Sequence, residues 1–130
     1  MSVLVDSSVW IAAQNPRNKE CLQLKRLLKS EAEIACIRPI QAEVCQGARS
    51  PEAFHRMWDS MLAFRFFEVT DRIWGKSAWN FFLCRKNGIT PTTLDCLVAT
   101  VAREHSLKLW SLDRDFKGMR RIIEFGSYEF

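Results

Sequence analysis

No Gly-x-Gly-x-x-Gly run and no Walker pattern occurs in this sequence, which excludes a glycine-rich nucleotide-binding loop. No apolar run approaches the roughly 18 residues of a membrane-crossing helix. The opening Met1-Ser2-Val3-Leu4-Val5-Asp6 has no basic stretch before an apolar one, so no secretory signal is expected. There is no Cys-x-x-Cys pair. The five cysteines, Cys21, Cys36, Cys45, Cys84 and Cys96, lie far in sequence from both histidines, His55 and His105. A zinc site wants short paired spacings, so none is expected, and a catalytic Cys–His pair has no local support. The cysteines read as small buried apolar side chains in a reducing compartment, which makes cytoplasm the expected location. Internal repeats, low-complexity stretches and long linkers are absent too.

What is present is a chain of 130 residues, 48% hydrophobic and 26% charged. That apolar fraction argues against disorder, and the length suits one domain, 1–130, with a core that needs no disulfides. Nineteen Lys and Arg against fifteen Asp and Glu leave a net charge of +4. A mild basic balance is compatible with an anionic polymer as partner and equally with an ordinary solvated surface. The basic clusters fall at Lys25-Arg26, at Arg85-Lys86 and from Arg114 to Arg121.

Strand and helix patterns alternate along the chain. Val3-Leu4-Val5 predicts a buried strand ending in Asp6, with the hydroxyl pair Ser7-Ser8 leading into a short apolar helix. Residues 18–30 carry a helical period. Ile34 to Ile37 predicts a second strand, and Pro39 suits the first turn of a helix from about Ile40 to Ala48. Ser50-Pro51 marks the next helix start, followed by an apolar stripe at Phe54, Met57, Trp58, Met61 and Leu62. Residues 66–69 read as extended. Thr70 predicts a cap for a helix ending near Asn87-Gly88, and Thr92 or Thr93 one for a nearly all-apolar helix from Leu94 to Glu104. Leu107 to Leu112 predicts a strand, and residues 120–125 a helical turn followed by an edge strand. The class is α/β with a short, mainly parallel sheet flanked by helices.

Four acids stand where a fold alone would not want them. Asp6 and Asp113 follow strands, Asp95 opens an apolar helix, and Glu43 lies a turn past another strand. In a parallel sheet the carboxyl ends of the strands share an edge, where ligand sites form. Each acid also has an ordinary explanation: a turn at Asp6 and Asp113, a wet helix face for Glu43, the helix dipole for Asp95. As a group they would repel one another unless a cation lay among them. Oxygen-only donors suit Mg²⁺ or Mn²⁺, and such ions support phosphodiester hydrolysis.

These residues carry a resemblance. Val-Leu-Val-Asp6-Ser-Ser-Val-Trp-Ile, Ile-Gln-Ala-Glu43-Val-Cys-Gln-Gly-Ala, Thr-Thr-Leu-Asp95-Cys-Leu-Val-Ala-Thr-Val-Ala and Leu-Asp113-Arg-Asp115-Phe follow in that order. The pattern resembles the PIN-domain ribonucleases, and within them the VapC-type toxins of toxin–antitoxin pairs. The resemblance implies a PIN-like fold and a Mg²⁺- or Mn²⁺-dependent endoribonuclease. Asp6, Glu43, Asp95 and Asp113 match the family's acidic, metal-binding site. Ser8 matches the hydroxyl that supports the first Asp, and Asp115 a further acid that varies in the family. The resemblance also implies an RNA substrate, a homodimer and a cognate antitoxin that occludes the site. Arg85, Lys86, Arg114 and Lys117 are candidates for RNA backbone contact, with ordinary surface charge as the alternative. Trp10, just past the first strand, would either pack in the core or line a groove for an antitoxin helix or RNA.

Two other readings compete. One is a nuclease-like scaffold that binds RNA or protein without cleaving, although clustered negative charge gains a phosphate binder nothing. The other is a phosphatase with an aspartate nucleophile, which the Ser8 two residues after Asp6 disfavours.

Overall fold

The computed structural model describes residues 1–130. Five strands, β1 (Ser2–Val5), β2 (Glu33–Cys36), β3 (Arg65–Phe66), β4 (Lys108–Trp110) and β5 (Gly126–Ser127), lie in the order β3-β2-β1-β4-β5. Every neighbouring pair is parallel. Parallel neighbours need crossovers, and seven helices supply them. They are α1 (Ser7–Ala13), α2 (Lys19–Lys29), α3 (Arg38–Gln46), α4 (Pro51–Met61), α5 (Asp71–Lys86), α6 (Thr93–Glu104) and α7 (Asp115–Met119). No helix is long and apolar enough to cross a membrane.

The chain starts in the middle of the sheet, builds β2 and β3 on one side of β1, then crosses to place β4 and β5 on the other. The order therefore reverses between β1 and β4, the position where α/β sheets open a crevice at their carboxyl edge. Side chains of β1 alternate between the two faces. Leu4 joins the larger core with Ala35, Ile40, the α6 residues Leu97, Val98 and Val101, and Met119. Val3 and Val5 join a smaller one with Val9, Leu24, Leu27, Ile34 and Trp110. Burial on both faces explains why β1 is a run of apolar residues without alternation.

Helix α6 is the central helix. Cys96 through Ala102 are all buried, and the hydroxyl of its N-cap Thr92 accepts from the Asp95 amide at 3.1 Å. Thr70 and Ser50 cap α5 and α4 in the same way. Between α5 and α6 the chain turns at Gly88, whose φ of +79° lies in the left-handed region where glycine has no steric penalty. That turn sets the last turn of α5 beside the first turn of α6.

Three element boundaries differ from the sequence pattern. The strand expected over 107–112 stops at Trp110, because Ser111 and Leu112 leave the ladder: the Ser111 hydroxyl donates to Asp6, and the Leu112 amide donates to the Ser8 hydroxyl. Of the extended 66–69 segment, only Phe66 joins the sheet, in a strand that begins at Arg65. In place of a turn and strand over 120–125, helix α7 comes earlier and β5 later. The Asp115 amide donates to Asp113 Oδ1 at 2.9 Å, which starts α7, and the helix buries Phe116 and Met119. Trp10 is half-buried, stacks on Phe64 at 5.1 Å between ring centroids and donates to the Val5 carbonyl at 3.1 Å.

Candidate active site

Asp6 leaves the end of β1 with only 4% of its surface exposed. Burying a carboxylate requires hydrogen bonds, and two hydroxyls supply them on one oxygen. Ser8 donates to Oδ2 at 2.9 Å and Ser111 donates to the same atom at 2.8 Å. The two hydroxyls lie 3.3 Å apart, and each also accepts a backbone amide, Leu112 onto Ser8 and Asp113 onto Ser111. This network ties β1 to the segment after β4 and leaves Asp6 Oδ1 without a hydrogen bond from the chain. The first α1 residue, Ser7, reaches the other way and donates to Glu43 Oε1 at 3.1 Å, fixing a carboxylate carried by α3.

Asp95 sits in the first turn of α6, half-buried. Its carboxyl is pushed up to about 6. Burial is the largest cause, followed by the Asp113 carboxylate, while a hydrogen bond with Thr92 pulls the other way. Asp6 and Glu43 add smaller upward pushes. Asp113, Asp6 and Glu43 thus all act on Asp95. Carboxylate oxygens of Asp95, Asp113 and Asp115 lie within 4.8 Å of one another, a spacing able to hold one metal ion, and Asp6 and Glu43 are not part of that group.

None of these five carboxylates forms an ion pair. The ion pairs of the molecule are Arg65–Glu33, Arg72–Glu104 and Lys76–Glu104. An acidic cluster that keeps no cation of its own fits a hard dication, and a donor set made only of oxygen fits Mg²⁺ or Mn²⁺ better than zinc. The cysteines offer no alternative. All five are free, and burial raises the thiols of Cys36, Cys45, Cys84 and Cys96. Such thiols are inert.

Of the basic candidates, Arg85 and Lys86 are exposed on the last turn of α5, which the Gly88 turn sets beside the start of α6. Arg114 and Lys117 are exposed on either side of Asp115, and Lys117 lines a small cavity of about 90 Å³ together with Ser111 and Asp113. Ser111 had no marker in the sequence pattern. The available signal was a hydroxyl just past a buried strand, the same arrangement as Asp6-Ser7-Ser8 at the end of β1.

Comparison with known proteins agrees with this architecture. Ribonuclease VapC11 of Mycobacterium tuberculosis is 26% identical over 132 aligned positions, which cover 98% of each chain. VapBC2 from Rickettsia felis, solved bound to a DNA fragment from its promoter, superposes with a TM-score of 0.80 at 17% identity, covering 100% of this chain and 99% of that one. The M. tuberculosis toxin VapC20, described as cleaving the sarcin–ricin loop, gives a TM-score of 0.74 at 18% identity, covering 98% and 99%. The PIN domain model matches residues 3–122, nearly the whole length, and the chain belongs to the PIN domain family.

Proposed function

We propose that this protein is a Mg²⁺- or Mn²⁺-dependent endoribonuclease and the toxin of a toxin–antitoxin pair, with one catalytic domain, 1–130. The observation that carries the proposal is the group of Asp95, Asp113 and Asp115 at the carboxyl edge of the sheet, their oxygens within 4.8 Å of one another, with Asp6 and Glu43 near enough to raise the Asp95 carboxyl and no counter-cation from the chain. The ribonuclease and toxin names of the relatives support RNA as the substrate.

In this reading Asp6 and Asp95 would hold the ion directly, and Glu43 and Asp113 directly or through water, with Asp115 in support. When bound, a divalent ion would supply positive charge to the scissile phosphodiester and lower the pKa of a water. The chain does the positioning. Ser8 and Ser111 occupy Asp6 Oδ2, so Oδ1 is the atom presented to the ion. Ser7 occupies Glu43 Oε1, which leaves Oε2 as its free oxygen. Glu43 or Asp113 orients the attacking water and takes its proton. Arg85, Lys86, Arg114 and Lys117 contact the RNA backbone, offsetting the negative charge of the site. A cognate antitoxin occludes the site, and the toxin–antitoxin systems among the structural neighbours support such a partner. The free cysteines, four of the five buried, support a cytoplasmic protein, and the working form is a homodimer.

The test is cleavage of total cellular RNA by antitoxin-free protein with Mg²⁺ or Mn²⁺, with chelator, and by Asp95→Asn. Cleavage that needs both the ion and Asp95 is expected. A folded, antitoxin-free protein that cuts no RNA with either ion would overturn the proposal in favour of a binding module that does not cleave.

A further inference from the structure

One exposed arginine is held in place by a fully buried glutamine. Arg38 is the first residue of α3, directly after β2, and has no carboxylate partner. Its Nη1 donates to Gln41 Oε1 at 2.7 Å. Gln41 is 0% exposed, and its own amide donates to the Trp58 carbonyl at 3.3 Å. A fully buried glutamine is costly unless bonded, and this one spends its acceptor on an arginine at the surface. The guanidinium lies 4.0 Å from the Phe66 ring centroid and 6.0 Å from that of Trp58. It borders a cavity of about 460 Å³ lined by Arg38, Pro39, Phe66, Phe67, Glu68 and Val69.

The cavity opens where β2 and β3 end, on the carboxyl edge that also carries the acids. β3 is two strands from β1, roughly 10 Å at the usual strand spacing. A single strand crossing the acids therefore has a base within reach of it. With Nη1 fixed on Gln41 and the guanidinium stacked on Phe66, the remaining guanidinium N–H groups are presented as a donor fork. Phe67, which also lines the cavity, is itself packed against Arg65 at 4.6 Å and His105 at 4.4 Å. Unpaired RNA bases are read by donors at their edges and by stacking on guanidinium planes, and arginine's preferred base edge is the O6 and N7 pair of guanine.

On the reading of the protein as a ribonuclease, we infer that Arg38, held by Gln41 above Phe66, binds an unpaired guanine beside the scissile bond and sets the cleavage sequence. The pocket, and not the acids, then determines where RNA is cut.

The test is cleavage of a single-stranded RNA pool randomised around its centre, with product ends mapped, by the wild type, Arg38→Ala, Arg38→Lys and Gln41→Leu. The wild type is expected to select guanine at one fixed position within a few nucleotides of the cut. Arg38→Ala abolishes that selection and lowers kcat/KM on the preferred RNA about 10- to 100-fold through KM, the range for one bidentate base contact. Arg38→Lys keeps the charge without the fork and loses the selection as well. Gln41→Leu weakens it with the arginine still present, once thermal unfolding shows that variant folded. Unchanged base selection in Arg38→Ala overturns the inference. So does a loss equal for all sequences, with the salt slope of binding reduced by about 0.7, which marks a phosphate contact. Intact cleavage with lost affinity for a protein partner overturns it too, assigning the pocket to that partner. If the wild type cuts nothing, the ribonuclease reading fails separately. Metal-free binding of guanine-containing against guanine-free oligonucleotides then decides the pocket: a preference seen in the wild type and absent in Arg38→Ala supports it, and equal binding overturns it.

Discussion

Without a bound ion, the acidic cluster works against the fold, and Asp95→Asn measures by how much. The Asp95 carboxyl is raised from 3.8 to about 6 in the folded chain. At about 1.36 kcal/mol per unit, ionising it in the folded state costs about 3 kcal/mol at most. Two effects reduce that figure. Asp95 is half-buried, so water screens part of the repulsion from Asp113, Asp6 and Glu43. The carboxylate also sits in the first turn of α6, where the helix dipole favours negative charge by about 0.3–1 kcal/mol. The net gain for Asp95→Asn in metal-free protein at pH 7.5 is therefore about 1–2 kcal/mol, or roughly 3–8 °C in Tm for a chain of this size. The sign with pH follows from linkage. Between about pH 4 and pH 6 the folded state binds more protons than the unfolded state, so wild-type stability falls as pH rises through this window. Asn does not titrate, so the gain is near zero at pH 4 and complete above about pH 7. Urea unfolding in chelator at several pH values reads this directly, and saturating Mg²⁺ should remove or reverse the advantage. An Asp95→Asn protein no more stable than wild type at pH 7.5, or equally favoured at pH 4, would refute the claim that the cluster repels itself.

Ser111→Ala removes a charge-assisted bond to Asp6 and the acceptor for the Asp113 amide. It should cost about 1.5–3 kcal/mol in urea unfolding and lower cleavage about 10- to 100-fold. Gly88→Ala meets no atom within 4 Å, so its cost is purely that of the left-handed backbone, about 1–2 kcal/mol in the same assay. Glu104 is held below its usual range, first by the hydrogen bond from Lys76, with the charges of Lys76 and Arg72 adding to it. Glu104→Gln should cost about 0.5–1 kcal/mol at neutral pH, and the cost should vanish in acid as the wild-type carboxyl is protonated.

Much of the site could be read from residue order because its acids contradict their surroundings. Asp6 ends an apolar strand and Asp95 interrupts an apolar helix, so both stand out without a structure. Ser111 does not. Its role depends on β4 lying beside β1, across 105 positions of sequence, and no local pattern encodes that neighbour. Gln41 hides for a similar reason. By period it is one more α3 residue, and only the packed chain shows its amide spanning Arg38 and Trp58. Helix α7 leaves no periodic signature, because it has only five residues, one of them Gly118. The helix caps at Ser50, Thr70 and Thr92 needed no tertiary information, since hydroxyl and amide lie within three residues of each other.

The central place of β1 has a consequence for how the protein is made. Strand β1 pairs with a strand made more than 100 residues later, and Asp6 gains its Ser111 partner only once the 105 positions between them have been added. At roughly 5–20 residues per second, the amino-terminal acids wait several seconds for the rest of the site. The acidic centre is therefore incomplete until β4 has been made and has docked beside β1.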